Sequence, residues 1–296
     1  MNLTELIVLV LKISIILNVV AVGLKAVPGD VTYLARHPRE LGRALLSMNV
    51  IMPLAALALG MIFDLKPAVK IALVALSVSP IPPVFPKKAL KAGGTQEYAI
   101  GLLVAVGILA VFLIPITMDL VGRTVGIALR MRMESVAGLV LSATLLPLLF
   151  GITVRWFAPA LAERAAKPLG ILATALLVGS GLPVLVGSFH NVLSLIGDGT
   201  LLAASAFALV GFFAGHLLGK PNPENSRVLA IATGSRHPGM AAAIAHANFP
   251  EQKLVLPAIV LYVIVCGILY ALISAVFRRA VEPPLESVER PRTRGS

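Results

Sequence analysis

Apolar residues run along this chain in long blocks, without the alternation of a half-buried strand or the narrow stripe of an amphipathic helix. A helix needs about 20 consecutive apolar residues to cross the hydrocarbon of a bilayer. Windows of that kind recur near 3–26, 41–63, 67–92, 96–118, 135–157, 168–189, 199–219, 226–248 and 252–277, separated by short polar or Pro/Gly-rich breaks. Inside lipid a lone segment satisfies its backbone polar groups only as a helix. The pattern therefore predicts an all-α polytopic membrane protein with about nine transmembrane helices. The first window lacks a basic start and a small-residue cleavage site, so it reads as a permanent helix and not as a leader.

Two windows are interrupted. The third carries Pro80, Pro82, Pro83 and Pro86 within seven residues, and each removes a backbone donor and crowds the preceding turn. The eighth reads "TGSRHPGM" at its centre, bringing together Gly234, Pro238 and Gly239. Both are expected to break near mid-membrane. Non-helical backbone at that depth is tolerated only where it is buried in protein or lines a wet cavity, so two broken helices imply an internal site. Their places, third and eighth of nine, suit a pair of inverted repeats that each contribute one broken helix.

Composition agrees: 58% of residues are hydrophobic and 13% charged. The net charge of +11 is concentrated in short loops: Lys25, Arg36, Arg39 and Arg43, then Arg164 and Lys167, then Lys220 and Arg227, then Arg278 and Arg279. With nine spans all of these fall on one side, which the positive-inside rule makes cytoplasmic and which leaves the N-terminus outside. Arg123, Arg130 and Arg132 fall on the other side, in a stretch, 119–134, that reads as an amphipathic segment in the interface. Charge facing an anionic leaflet needs no nucleic acid, and the few aromatics offer no base-stacking platform. The lone Cys266 excludes an internal disulfide and reads as packing. The tail, 278–296, is Pro-rich and charged and reads as disordered and cytoplasmic. Nucleotide-binding, metalloprotease, nucleophile-elbow and Cys/His signatures are lacking, so neither an enzyme, a bound cofactor nor a metal centre is expected.

The run from Leu6 through "LARHPRELGRALLSMNVIMPLAAL" to "ALVALSVSP", and again "RVLAIATGSRHPGMAAAIA", resembles the bile acid:sodium symporter family, in the nine-helix form of its bacterial members, from the first span to the ninth. The resemblance implies a panel and a core domain, two broken helices crossing in the core, and an organic anion bound between the domains. On this chain it divides residues 1–63 (panel), 64–134 (core, first broken helix), 135–197 (panel), 198–277 (core, second broken helix) and the tail, and it implies a bacterial inner membrane.

The departures from the family pattern fall on its sodium sites. Where members carry a Pro-Gly-Gly-x-x-Ser-Asn run, this chain keeps Pro80 but has Phe85 and Pro86 in place of Ser and Asn. Where they carry Glu-x-Gly-x-Gln-Asn, it has Ala232, Thr233, Gly234, Ser235, Arg236 and His237. Sodium favours hard oxygen ligands with a carboxylate among them, so coupling to sodium is doubtful. Arg236 is expected as a built-in cation near the lost ion's place, because an uncompensated guanidinium in the membrane must face a cavity or a partner.

The candidate substrate-binding residues are Arg236, His237, Thr233, Ser235, Lys88 and Asn49, and their charge favours a small carboxylate-like organic anion. His237 is the candidate for any proton coupling. Structural roles compete with each assignment. Arg236 would lock carbonyls freed at Gly234, and Lys87 and Lys88 would snorkel to the surface. Thr233 and Ser235 would cap a half-helix, and Asn49 would bond across helices. The expected function is secondary transport of the anion by alternating access. A conventional sodium symporter and a membrane receptor that binds an anion without moving it are the alternatives.

Overall fold

The computed structural model describes residues 2–126 and 129–279. Among them there is no strand, and seven helices are long and apolar enough to cross a membrane. The protein is an all-α, multi-pass membrane protein. Helix α1 (Leu3–Gly23) opens on a reciprocal cap, Asn2 Oδ1 accepting from the Glu5 amide at 2.8 Å while Glu5 accepts from that of Asn2. Two short helices, α2 (Pro28–Val31) and α3 (Tyr33–Arg36), fold the following loop.

The second span is a single rod of three pieces: α4 (Pro38–Leu45), a π turn (Leu46–Ile51) and α5 (Met52–Ile62). Pro53 explains the middle piece. In a regular α-helix its ring would press on the carbonyl of Asn49, and widening the preceding turn relieves that clash. The fifth span repeats the device: α9 (Met133–Val140) and α10 (Leu146–Phe157) flank a π turn at Leu141–Leu145, just before Pro147.

The interrupted windows form two pairs of short helices, α6 (Pro67–Val78) with α7 (Phe85–Lys91), and α13 (Pro223–Gly234) with α14 (Pro238–Asn248). The remaining rods are α8 (Gln96–Val125), α11 (Pro159–Leu193), α12 (Thr200–Leu218) and α15 (Val255–Arg279). Residues 119–125 complete α8, where Arg123 pairs with Asp119 at 2.8 Å, so this part of the expected interfacial stretch is helix. Residues 127–128 of that stretch, and 280–296 of the expected disordered tail, lie outside the described residues. Helix α11 begins nine residues before its window and carries Pro168 and Pro183 inside it. Pro is tolerated within membrane helices where neighbouring groups satisfy the freed carbonyls.

Packing separates two groups of helices. Helix α1 lies on α10 and α11 so closely that a Cβ on Gly23 or Gly151 would strike the other helix's backbone. The main core holds α5, α6, α12, α13, α14 and α15, with buried faces from α8. Residues 38–62 pack on α6 and α12 in this second group, whereas the sequence grouped them with α1. Within it, α12 and α13 approach backbone to backbone along Gly211, Gly215 and Gly219, a spacing of four that puts all three on one face. A row of exposed apolar side chains on α11, including Ile171, Val178 and Phe189, faces outward, as a lipid-contacting helix requires.

Hydrogen bonds gather the loops at two ends. At one, Arg43 donates to the Lys220 carbonyl (2.6 Å), Asn225 to Glu40 (3.1 Å) and Arg227 to the Gly93 carbonyl (3.0 Å). At the other, Lys66 donates to the Ser194 carbonyl (2.6 Å) and Asn248 to that of Arg130 (2.8 Å).

Candidate functional site

The breaks meet in the interior, where the His237 amide donates to the Pro80 carbonyl at 3.0 Å. Pro80, Pro82 and Pro83 lie in the first break, while Pro86 opens α7 in the first turn, where its missing N–H costs no hydrogen bond. In the second break Gly234 ends α13, and Pro238 and Gly239 begin α14. The non-helical residues between them are Ser235, Arg236 and His237.

Arg236 is only 3% exposed and projects onto the other broken helix. Its Nε donates to the Leu76 carbonyl at 3.0 Å, and its Nη2 donates to the Ser77 carbonyl and, at 3.1 Å, to that of Met48. Leu76 and Ser77 are in the last turn of α6, whose carbonyls lack the regular partner four residues ahead and carry the negative end of the dipole; that of Leu76 also accepts from the Ser79 amide at 3.1 Å. The Ser79 hydroxyl takes the carbonyl before them, that of Ala75, at 2.6 Å. Met48 lies in the π turn. There each carbonyl looks to the amide five residues ahead, which for Met48 is Pro53, with no N–H to give. The guanidinium thus collects two carbonyls that prolyl distortions leave open, those of Ser77 and Met48, and a third, that of Leu76, which it shares with the Ser79 amide. Its Nη1 has no partner among the described residues.

The carbonyl freed at Gly234 is taken by the Tyr262 hydroxyl and, at 3.3 Å, by the Cys266 thiol, both on α15, and not by Arg236. Thr233 is buried and shares a hydrogen bond with Ser47 at 2.9 Å, joining α13 to the second span. Ser235 is buried with its hydroxyl 4.0 Å from the Cys266 sulfur. His237 caps α14, its Nδ1 accepting from the Met240 amide at 3.2 Å, so that nitrogen carries no proton. The same imidazole lines a cavity of about 10 Å³ with Thr144 and Gly107, room for about one water. Asn49 is half-buried beside Met48, and its Nδ2 lacks a partner among the described residues.

Lys88 stands apart from this cluster, its ammonium 5.4 Å from the centre of the Tyr270 ring. Lys87 turns the other way. Its Nζ donates to Asn18 Oδ1 on α1 and, at 3.2 Å, to the Gly170 carbonyl on α11, so it reaches across from one group of helices to the other. It lines a cleft of about 470 Å³ between them, together with Lys25, Lys91, Lys167 and Gln96.

The structure therefore brings Arg236, Thr233, Ser235, His237 and Asn49 to one crossing and leaves Lys88 at its edge. Sequence reasoning missed Met48, Ser47, Tyr262 and the lysine cleft as parts of the site. Met48 serves through a backbone carbonyl, which no side-chain pattern betrays. The lysines come from separate loops and helices, and each by itself reads as a positive-inside residue.

A model of the Sodium Bile acid symporter family matches residues 12–194. "Probable sodium/metabolite cotransporter BASS5, chloroplastic" of Oryza sativa subsp. indica, and the protein of the same name from Oryza sativa subsp. japonica, are each 28% identical to the chain over 184 residues. That overlap is 58% of this chain and 44% of each relative, so less than half of their length is spanned. The family match runs from α1 through the first broken helix to the residue after α11 and covers more than half of the chain, which therefore belongs to the sodium bile acid symporter family.

Proposed function

We propose that the protein is a secondary transporter of a small organic anion, and that Arg236 stands in for the coupling cation so that binding is independent of sodium. The observation that carries this reading is the buried guanidinium on the carbonyls of Leu76, Ser77 and Met48. A permanently charged donor group on these oxygens supplies the positive charge that a bound cation would bring. It also occupies acceptors that a hard cation would need, and Ala232 offers no carboxylate in compensation.

The moving parts in this reading are α1, α9, α10 and α11 on one side and the helices around the crossing, including residues 38–62, on the other. The lysine cleft between them receives the anion. The end that carries the basic loops faces the cytoplasm.

Thermal unfolding of the detergent-purified protein with a panel of small carboxylates, each in sodium and in choline buffer, tests the proposal, because a ligand specific to the native state raises the melting temperature by mass action. Equal stabilisation in both buffers is expected. The name of the rice relatives, sodium/metabolite cotransporter, favours a second reading in which sodium coupling is retained. Stabilisation confined to sodium buffer would establish that reading and overturn the role given to Arg236. Binding without flux in proteoliposomes would make the protein a receptor.

A further inference from the structure

The cleft between the two groups of helices is lined by Lys25, Lys87, Lys91 and Lys167, and among the described residues no carboxylate lines it. None of the four makes an ion pair among the described residues. The neighbouring acid, Asp30, is buried behind Gln96, which donates to its Oδ2 at 2.9 Å while the Val27 amide donates at 3.0 Å. Lys87 and Lys91 are four residues apart on one face of α7, a spacing at which like charges repel. A lysine that merely snorkels extends to water, but Lys87 is half-buried and turned inward onto Asn18 and Gly170. The volume of about 470 Å³ is that of a small-molecule site.

Resting on the reading of the protein as an anion transporter, we propose that this cleft selects small solutes carrying two or more negative charges, such as di- and tricarboxylates, over monoanions. One anionic group satisfies at most a pair of ammoniums and leaves the others facing each other. A second or third group meets them without a further cost in freedom of the bound ligand. Lys87 receives the first anionic group, and Lys25, Lys91 and Lys167 are left to meet a second or third. The Lys87 ammonium already faces the cleft, and an anion at that point exchanges two neutral oxygens for a charged one. The exchange also releases the tie from α7 to α1 and α11, so binding of a multiply charged solute loosens the contact between the two groups of helices.

The test is binding of acetate, succinate and citrate to the purified full-length protein, by thermal shift and by flux into proteoliposomes, at matched ionic strength. Citrate is expected to bind at least about tenfold more tightly than acetate, with succinate between them. In the Lys91→Gln/Lys167→Gln double variant, checked for an unchanged melting temperature in chloride, that advantage is expected to fall to about twofold. Equal affinity for acetate and citrate with flux intact would overturn the selection for charge and leave transport standing. Citrate stabilisation undiminished in the double variant would mark a general salt effect and overturn it too. If cardiolipin in mixed micelles stabilises the protein in a lysine-dependent way while citrate does not, the cleft holds a lipid headgroup, and the proposal fails. If no carboxylate binds or moves, the transporter reading itself falls.

Discussion

A guanidinium held by three backbone carbonyls is bound by geometry as much as by charge. Arg236 presents planar donors in a fixed fork, and the oxygens of Leu76, Ser77 and Met48 come from two elements that this side chain ties together. Arg236→Lys keeps the charge but has no fork, so it should retain one of the three bonds. Each hydrogen bond to a charged donor contributes about 1.5–3 kcal/mol, so we expect Arg236→Lys to be intermediate and Arg236→Ala to lose on the order of 3 kcal/mol or more. Thermal unfolding in detergent would rank the three proteins, and an alanine variant that melts with the wild type would remove the lock from the account. A milder probe is Tyr262→Phe, which leaves the Gly234 carbonyl only the Cys266 thiol. We expect it to cost about 1–3 kcal/mol with the fold intact.

Elements carry their own logic. The π turn of the second span follows from Pro53, and it leaves Met48 an acceptor without an intrahelical donor. Pro53→Ala restores a backbone N–H and removes the ring. The turn is then free to tighten and the Met48 carbonyl to find a helical partner. Pro53→Ala should therefore soften the effect of Arg236→Ala, a non-additivity that a double-mutant cycle of melting free energies would detect at about 0.5 kcal/mol or above. Strict additivity would mean that the π turn and the arginine are unconnected. On the neighbouring face of the core, a side chain at Gly215 would place its Cβ 2.7 Å from the Cα of Ala230. Gly215→Leu is expected to yield no monodisperse protein on size exclusion, whereas Gly42→Ala, with nothing within 4 Å, should be tolerated.

At the scale of the molecule, transport in the proposed manner needs the two groups of helices to part. Lys66 and Ser194 touch across them at the end opposite the lysine cleft, 2.6 Å apart through the Ser194 carbonyl. Because the contact is made by the end of the long lysine side chain, a bifunctional thiol cross-linker between Lys66→Cys and Ser194→Cys is used in place of a direct disulfide; it should halt flux in proteoliposomes, the native Cys266 being buried out of reach. Undiminished flux in the cross-linked protein would show that this contact stays closed during transport. The grouping itself was not readable from the chain. Residues 38–62 follow α1 in sequence and share its apolar character, yet they pack with α6 and α12, an arrangement set by contacts between residues distant in sequence.

The sequence by itself determined that the chain lies in a membrane, that its long segments are helical, and which two of them break. Those are consequences of local chemistry: apolar length against bilayer thickness, and prolines without donors in places where backbone groups need them. It also placed a buried cation at the second break. Which oxygens that cation holds was decided by tertiary structure alone. The carbonyls of Met48 and Ser77 become available because their own helices fail to use them, and that depends on distortions at Pro53 and at the end of α6 meeting in space. The lysine cleft likewise has no linear signature, because its charges come from residues 25 to 167 and converge only when α1, α7 and α11 pack.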